Sequence, residues 1–440
     1  MTRVLIATTP ADGHVNPVLP VASALAARGH EVRWYTGTSY RDRVSAAGAV
    51  FEPMRAAHDF GGRSKAEAFP ELAGLTGLAS FKAGMTDIFY RTAPDQLTDL
   101  MAVLERFPAD VIVSDDMCYG ACFAHELSGI PQVWISNSVY ILGSGDTAPL
   151  GFGLGPSSSP LGRLRNRLLA WSGDHLALRT VRVRADEVRA GVGLPRLTTG
   201  AMENIARPPD LYVLGTVGSF EFPRTDLFAG TRFVGRLDDA AGDAPFGPPF
   251  WWGELAGDRR VVLVTQGTIA DDVDRLLLPA IRALADEPVL VVVTTGNTPL
   301  GAAGSSLPDN VRVEKFVPYQ RLLPHVDVMV TNGGFNGVNA ALGHGVPLVV
   351  AGASEEKSDV AARVRWSGAG LALGRRAVSV QGIRRAVRTV LADGRYRQAA
   401  ERLRQEHLAH DGPHRTADLI EGLVASVDLA ATARSGEGEQ

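Results

Sequence analysis

The sequence predicts an α/β protein built as two doubly wound parallel-sheet domains that face each other across a cleft. Three observations predict it. Apolar strand-like runs alternate with helix-like segments throughout, the pattern of parallel sheets covered by helices on both faces. The alternation stops over residues 237–260, where Asp, Gly and Pro cluster, and then restarts. At 440 residues, the chain is also too long for one ordinary core.

In the first half, residues 3–8 form an apolar strand. Asn16 and Pro17 then supply an N-cap and a first helical residue, and Gly29 closes that helix. Strands over residues 31–35 and 50–53 flank a helix over 39–47, and helical material runs on to residue 106. Residues 110–114 and 132–135 are strands, separated by a helix carrying Cys118 and Cys122. Residues 143–162, rich in Gly, Ser and Pro, read as a mobile loop. A basic amphipathic helix over 161–190 carries seven arginines; a solvated helix face is the plain reading and an anionic membrane surface the alternative.

After the break, strands are predicted over 261–265, 289–294, 311–315, 326–331 and 348–350, with a helix opening near Asp272. The expected organisation is a first domain over residues 1–236, a linker over 237–260 and a second domain over 261–408. A helix over 409–425 packs back towards the first domain, and a disordered tail occupies 426–440. Ligands of such folds sit at the carboxyl ends of the strands.

Composition excludes several classes. A net charge of −4 offers no concentrated basic face for nucleic acid. The first apolar run, residues 4–7, is too short for a signal peptide, and no stretch reaches the length of a membrane span. Two cysteines four apart read as small buried residues of a reducing, cytoplasmic compartment rather than a disulfide or metal site. Four lysines among 44 basic residues, with abundant Ala, Gly and Val, fit a high-GC bacterial genome.

The candidate chemistry lies at strand ends. His14 follows the first strand, where an imidazole titrating near neutral pH suits a general base; hydrogen bonding to the helix start is the structural alternative. Asp115 and Asp116 close the strand 110–114 at the same edge. One can orient the imidazole while the other caps a helix, and Asp115 is the favoured partner. In the second half, the turn Asn332–Gly333–Gly334 feeds a helix through Asn336 and Gly337, aiming backbone N–H groups at one point. Thr265 to Thr268 form a second polar loop at that edge. Glu355, Glu356 and Lys357 follow the strand 348–350, where they can hold sugar hydroxyls or simply favour a helix start. Asp272-Val273-Asp274 has the form of a metal motif but opens a helix, His125-Glu126 lacks a second zinc histidine, and Gly151-Phe152-Gly153-Leu154-Gly155 follows no strand.

Over nearly its whole length the chain resembles the GT-B glycosyltransferases of natural-product metabolism, the bacterial macrolide and polyketide enzymes and the plant flavonoid enzymes. The segment VLIATTPADGHVNPVLPVASALAARGHEV, residues 4–32, and the region 311–370 carry the resemblance. It implies two Rossmann-like domains, His14 as catalytic base and Asp115 as its partner. It implies that the backbone at Phe316, Val317 and Pro318 meets a nucleobase, that Gly333, Gly334, Asn336 and Gly337 hold a diphosphate, and that Thr268 lies near the phosphates. Glu356 and Lys357 stand where the family has an Asp-Gln pair on the sugar, and Asn332 stands where most members have a phosphate-contacting histidine. The implied reaction is metal-independent, inverting transfer of a hexose or deoxyhexose from a UDP- or dTDP-sugar to a hydroxyl of an apolar polyketide, macrolide or phenolic acceptor. No cofactor beyond the donor is implied, and the chain is expected as a monomer or homodimer. Phe81, Met85, Phe89, Trp134 and Tyr140 are the candidate acceptor wall. A non-catalytic nucleotide-sugar or aglycone binder, a GT-B epimerase and a transferase acting on membrane lipid are the rival readings.

Overall fold

The structure, a computed structural model, describes all residues except 64, 73, 76, 137, 204–205, 239–245, 268–271, 297, 299, 302–303, 305, 352–356, 375–377 and 438–440. Among the described residues, thirteen short strands form two sheets, and every strand pair is parallel. The first comprises β1 (Arg3–Ala7), β2 (Glu31–Thr36), β3 (Val50–Pro53), β4 (Val111–Asp115), β5 (Gln132–Ser136), β6 (Leu211–Leu214) and β7 (Thr231–Phe233). The second comprises β8 (Arg260–Thr265), β9 (Val289–Thr294), β10 (Val311–Glu314), β11 (Val328–Thr331), β12 (Leu348–Val350) and β13 (Gly370–Ala372). Their orders, β3-β2-β1-β4-β5-β6-β7 and β10-β9-β8-β11-β12-β13, reverse direction between β1 and β4 and between β8 and β11. At such reversals the flanking crossovers leave in opposite directions and open a crevice at the strand ends.

Each sheet buries both faces, so β1, β4, β8, β9 and β12 each contain an unbroken apolar run, from Val111-Ile112-Val113 in β4 to Val289-Leu290-Val291-Val292-Val293 in β9. Val18, Val21, Leu25, Val111 and Val133 fill one face of the first sheet; Leu5, Tyr35, Leu100 and Phe123 fill the other. A further cluster crosses between domains. Val139, Val217 and Phe220 of the first pack with Phe335, Val338, Val360 and Val364 of the second.

Several elements differ from expectation. The first helix starts early, at Asp12–Val15, and breaks before Leu19–Ala27, so Asn16 ends one helix instead of capping the next. Its side chain accepts from Arg43 Nη1 at 2.8 Å. The basic helix is two helices, Pro160–Ser172 and Arg179–Gly191, joined by a wide π-type turn at Gly173–Ala177. The loop before it is tied down. Asp146, buried, accepts from Arg163 Nε at 2.8 Å and from Thr225 N at 2.7 Å, and Asn166 Nδ2 donates to Gly145 O at 3.0 Å. Strands β6, β7 and β13 are additional to those predicted. The last helix, Gly412–Glu437, runs well into the segment expected as a disordered tail. It lies on Leu19–Ala27, burying Ala417 and Ile420 in the first domain's core, with Arg28 and His30 paired to Glu421 at 3.0 and 2.7 Å. No helix among the described residues is long and apolar enough to cross a membrane.

Candidate active site

The reversal between β1 and β4 places His14 and Asp115 side by side, because Ala7 of β1 pairs with Ser114 of β4. Asp115, the last residue of β4, is fully buried. Its Oδ2 accepts from Thr9 N at 2.7 Å, and its Oδ1 accepts from Met117 N at 2.9 Å and from Thr9 Oγ1 at 3.3 Å. His14 Nδ1 lies 2.8 Å from Asp115 Oδ1, with 18% of the His14 side chain exposed. A carboxylate can only accept, so Nδ1 carries the proton and the basic lone pair sits on Nε2.

Asp116, beside it, points away. Burial pushes its carboxyl up to about 6, and it accepts from Ser136 Oγ at 2.7 Å and Tyr212 Oη at 3.3 Å. Its hydrogen bonds run into the interior of the sheet.

Across the cleft, the reversal between β8 and β11 forms the second half of the site. Thr331 of β11 pairs with Thr265 of β8, so their loops are neighbours. Asn332 reaches sideways and donates from Nδ2 to Gln266 O, while its Oδ1 lies 3.4 Å from Gly334 N. It ties the two loops together. Gly333 has φ +90°, and a Cβ there would stand 2.8 Å from Val350 Cγ1. Gly334 caps the helix Phe335–Gly343, whose first-turn N–H groups have no intrahelical acceptor. They and the positive end of the helix suit an anion. Asn336, on that turn, donates from Nδ2 to Gly13 O at 3.4 Å. The glycine turn of one domain therefore touches the His14 loop of the other.

The remaining candidates divide. Phe316 is 70% exposed, whereas Val317 is in the second domain's core. Lys357 opens the helix Lys357–Ser367, and its carbonyl lies beside Gly333. Thr268, Glu355 and Glu356 lie outside the described residues. Phe81 and Phe89 are partly buried against the first domain's core. Met85, Trp134 and Tyr140 are buried in it. Trp134 lies on the interior strand β5 with its ring edge-on to Tyr212, and Tyr140 is covered by the Arg224 guanidinium 4.3 Å from its ring.

The look-alike motifs have structural uses. Asp272 accepts from Asp274 N at 3.1 Å, as a cap. His125 donates from Nδ1 to Ile130 O at 2.6 Å in the interior, and the two thiols are buried and unlinked, burial pushing Cys122 up to about 12. Among the described residues, no group of three metal-ligating side chains gathers. Thr9 and Tyr319, whose Oη lies 3.4 Å from Thr265 Oγ1 and close to Gly337, were not singled out from the sequence. For Thr9, the signal was its place just beyond the end of β1.

Known proteins resemble this chain in sequence and in fold. The model of the erythromycin biosynthesis protein CIII-like C-terminal domain matches residues 276–423. The 4'-demethylrebeccamycin synthase of Lentzea aerocolonigenes is 60% identical over 422 residues, covering 96% of this chain and 99% of that protein. UDP-glycosyltransferase 2 of Phaeomoniella chlamydospora is 32% identical, covering 96% of each. The crystal structure of the glycosyltransferase of kitacinnamycin superposes with a TM-score of 0.76 at 24% identity, over 96% of this chain and 99% of that one.

Proposed function

Because the chain belongs to the GT-B-fold glycosyltransferases of natural-product biosynthesis, we propose that it transfers a hexose or deoxyhexose from a UDP- or dTDP-sugar to an apolar small-molecule acceptor. The observation that carries the reading is the meeting of two halves at one place. His14 and Asp115 stand at the reversal of one sheet, and Asn336 of the other domain's glycine turn touches Gly13.

In this reading the diphosphate lies on Gly333, Gly334 and the first turn of Phe335–Gly343, with Thr268 near it and the nucleobase against the backbone at Phe316 and Val317. Asn332, committed to Gln266 O, acts by fixing the turn. Glu356 and Lys357 hold sugar hydroxyls. The acceptor, a polyketide, macrolide or phenolic, lies towards Phe81 and Phe89. His14 Nε2 takes the proton from the attacking acceptor atom, a hydroxyl oxygen in the simplest case, and Asp115 stabilises the imidazolium. The new bond forms at the anomeric carbon as the bond to the diphosphate breaks, and its electrons leave with the diphosphate. Attack opposite the leaving group inverts the anomeric centre. The helix N-terminus and the glycine turn are already oriented towards the developing charge, so the reaction needs no metal.

The test is a panel of UDP- and dTDP-sugars with apolar acceptors bearing hydroxyl or ring N–H groups, followed by mass spectrometry with EDTA present, beside His14→Ala. A sugar-mass increment that requires acceptor, survives EDTA and disappears in His14→Ala is expected. Tight nucleotide binding with no transfer from any donor would instead favour a binding protein.

A further inference from the structure

The segment Gly151-Phe152-Gly153-Leu154-Gly155 belongs to the first domain but docks on the second. Asp359, in the first turn of Lys357–Ser367, is 5% exposed and receives two strap amides: Gly151 N at 2.6 Å on Oδ2 and Gly153 N at 3.3 Å on Oδ1. Ser358 Oγ donates to Gly151 O at 3.3 Å, and Arg365 Nη2 donates to Gly153 O at 3.1 Å. Leu150, just before the segment, packs on the cluster that crosses between the domains. The glycines are required: φ is +96° at Gly151 and +61° at Gly153, and a Cβ on Gly153 would stand 3.0 Å from Ser358 O. Without side chains at these two positions, bare backbone closes onto a carboxylate of the opposite domain.

We infer that this segment is a strap that closes the donor-sugar end of the cleft, and that Asp359 is the residue that positions it. The inference rests on the glycosyltransferase reading, since the strapped helix is the one that begins with Lys357. A strap seated there excludes water from the sugar and fixes the chain leading into the helix Pro160–Ser172, so Asp359 acts on transfer without touching the reacting atoms. Binding two amides at once makes the contact directional as well as charge-assisted.

Asp359→Ala, Asp359→Asn and Gly153→Ala are compared with wild type for transfer, for donor hydrolysis without acceptor and for binding of the free nucleoside diphosphate. Asp359→Ala and Gly153→Ala should each raise the acceptor KM and the hydrolysis-to-transfer ratio by roughly tenfold, the worth of one charge-assisted hydrogen bond. Nucleoside diphosphate affinity should stay within about twofold, and Asp359→Asn, which keeps one acceptor oxygen, should recover part of the loss. Unchanged KM and unchanged ratio in the folded variants would overturn the inference, as would a parallel fall in nucleotide affinity. If Asp359→Ala does not fold, Gly153→Ala tests the same contact from the other domain. If the wild type transfers no sugar, the reading beneath the inference fails. Hydrogen exchange at the Gly151 and Gly153 amides then decides the strap alone: protection in wild type lost in Gly153→Ala supports docking, and fast exchange in wild type refutes it.

Discussion

Asp115 is fixed before any substrate arrives, because Thr9, Met117 and His14 all converge on its two oxygens. Asp115→Asn keeps the size of the side chain but turns an amide N–H₂ towards His14 Nδ1, reversing the tautomer and removing the lone pair from Nε2. The expected loss in kcat is about 10²–10⁴-fold, with His14→Ala no more than additive to it. A near-wild-type kcat for Asp115→Asn would remove the pair from the mechanism. Asp116 predicts an effect on stability instead. Its folded carboxyl titrates near 6 against an unfolded value of 3.8, so between those values the native state holds a proton that the unfolded state has lost. Stability therefore falls as pH rises through that window, by about 3 kcal/mol at most. Asp116→Asn keeps an acceptor for Ser136 and should flatten the urea midpoint between pH 4 and 6; a curve as steep as wild type would refute the assignment. The pairing of His14 with an aspartate was legible in the sequence, since Asp115 ends β4 and His14 lies on the short helix that follows the neighbouring strand β1. The interior position of Trp134 and Tyr140 was not, because an aromatic residue beside a cleft and one beneath it share the same local pattern.

At the scale of elements, the glycine turn after β11 carries the sharpest steric demand. Gly333→Ala must accommodate both a φ of +90° and a Cβ 2.8 Å from Val350. We expect a loss of about 1–3 kcal/mol in stability and a weaker nucleoside diphosphate affinity, read by denaturant titration and calorimetry. Unaltered binding by a folded variant would place the diphosphate elsewhere. Strands such as β9 and β12 were readable because strands buried on both faces are unbroken apolar runs. Strands β6, β7 and β13 span four, three and three residues, too few to show a period, and β13 opens on a glycine. The break at Gly173–Ala177 was hidden for a related reason: a wide turn preserves helical spacing on either side of it.

At the scale of the whole molecule, the two domains share a core and a buried ion pair. Glu221 of the first domain grips Arg363 of the second with contacts of 2.6–2.9 Å, and Arg363 also stacks over Phe222 at 4.3 Å. Burial alone would raise the Glu221 carboxyl, but Arg363 and Arg224 outweigh it and hold it below the ordinary carboxylate range. Glu221→Ala leaves Arg363 charged and buried, which should cost about 3–5 kcal/mol. Scanning calorimetry should show the melting point lowered and the single transition separating into two; an unshifted single transition would mean that the domains are coupled by apolar packing alone. The helix Gly412–Glu437 binds the molecule in another way. Ala417 and Ile420 complete the core over Leu19–Ala27, yet they are encoded beyond the entire second domain. During synthesis, then, the first domain emerges from the ribosome with a hydrophobic face still open, and it is sealed only after the second has been made. The order of translation and the order of completion run in opposite directions.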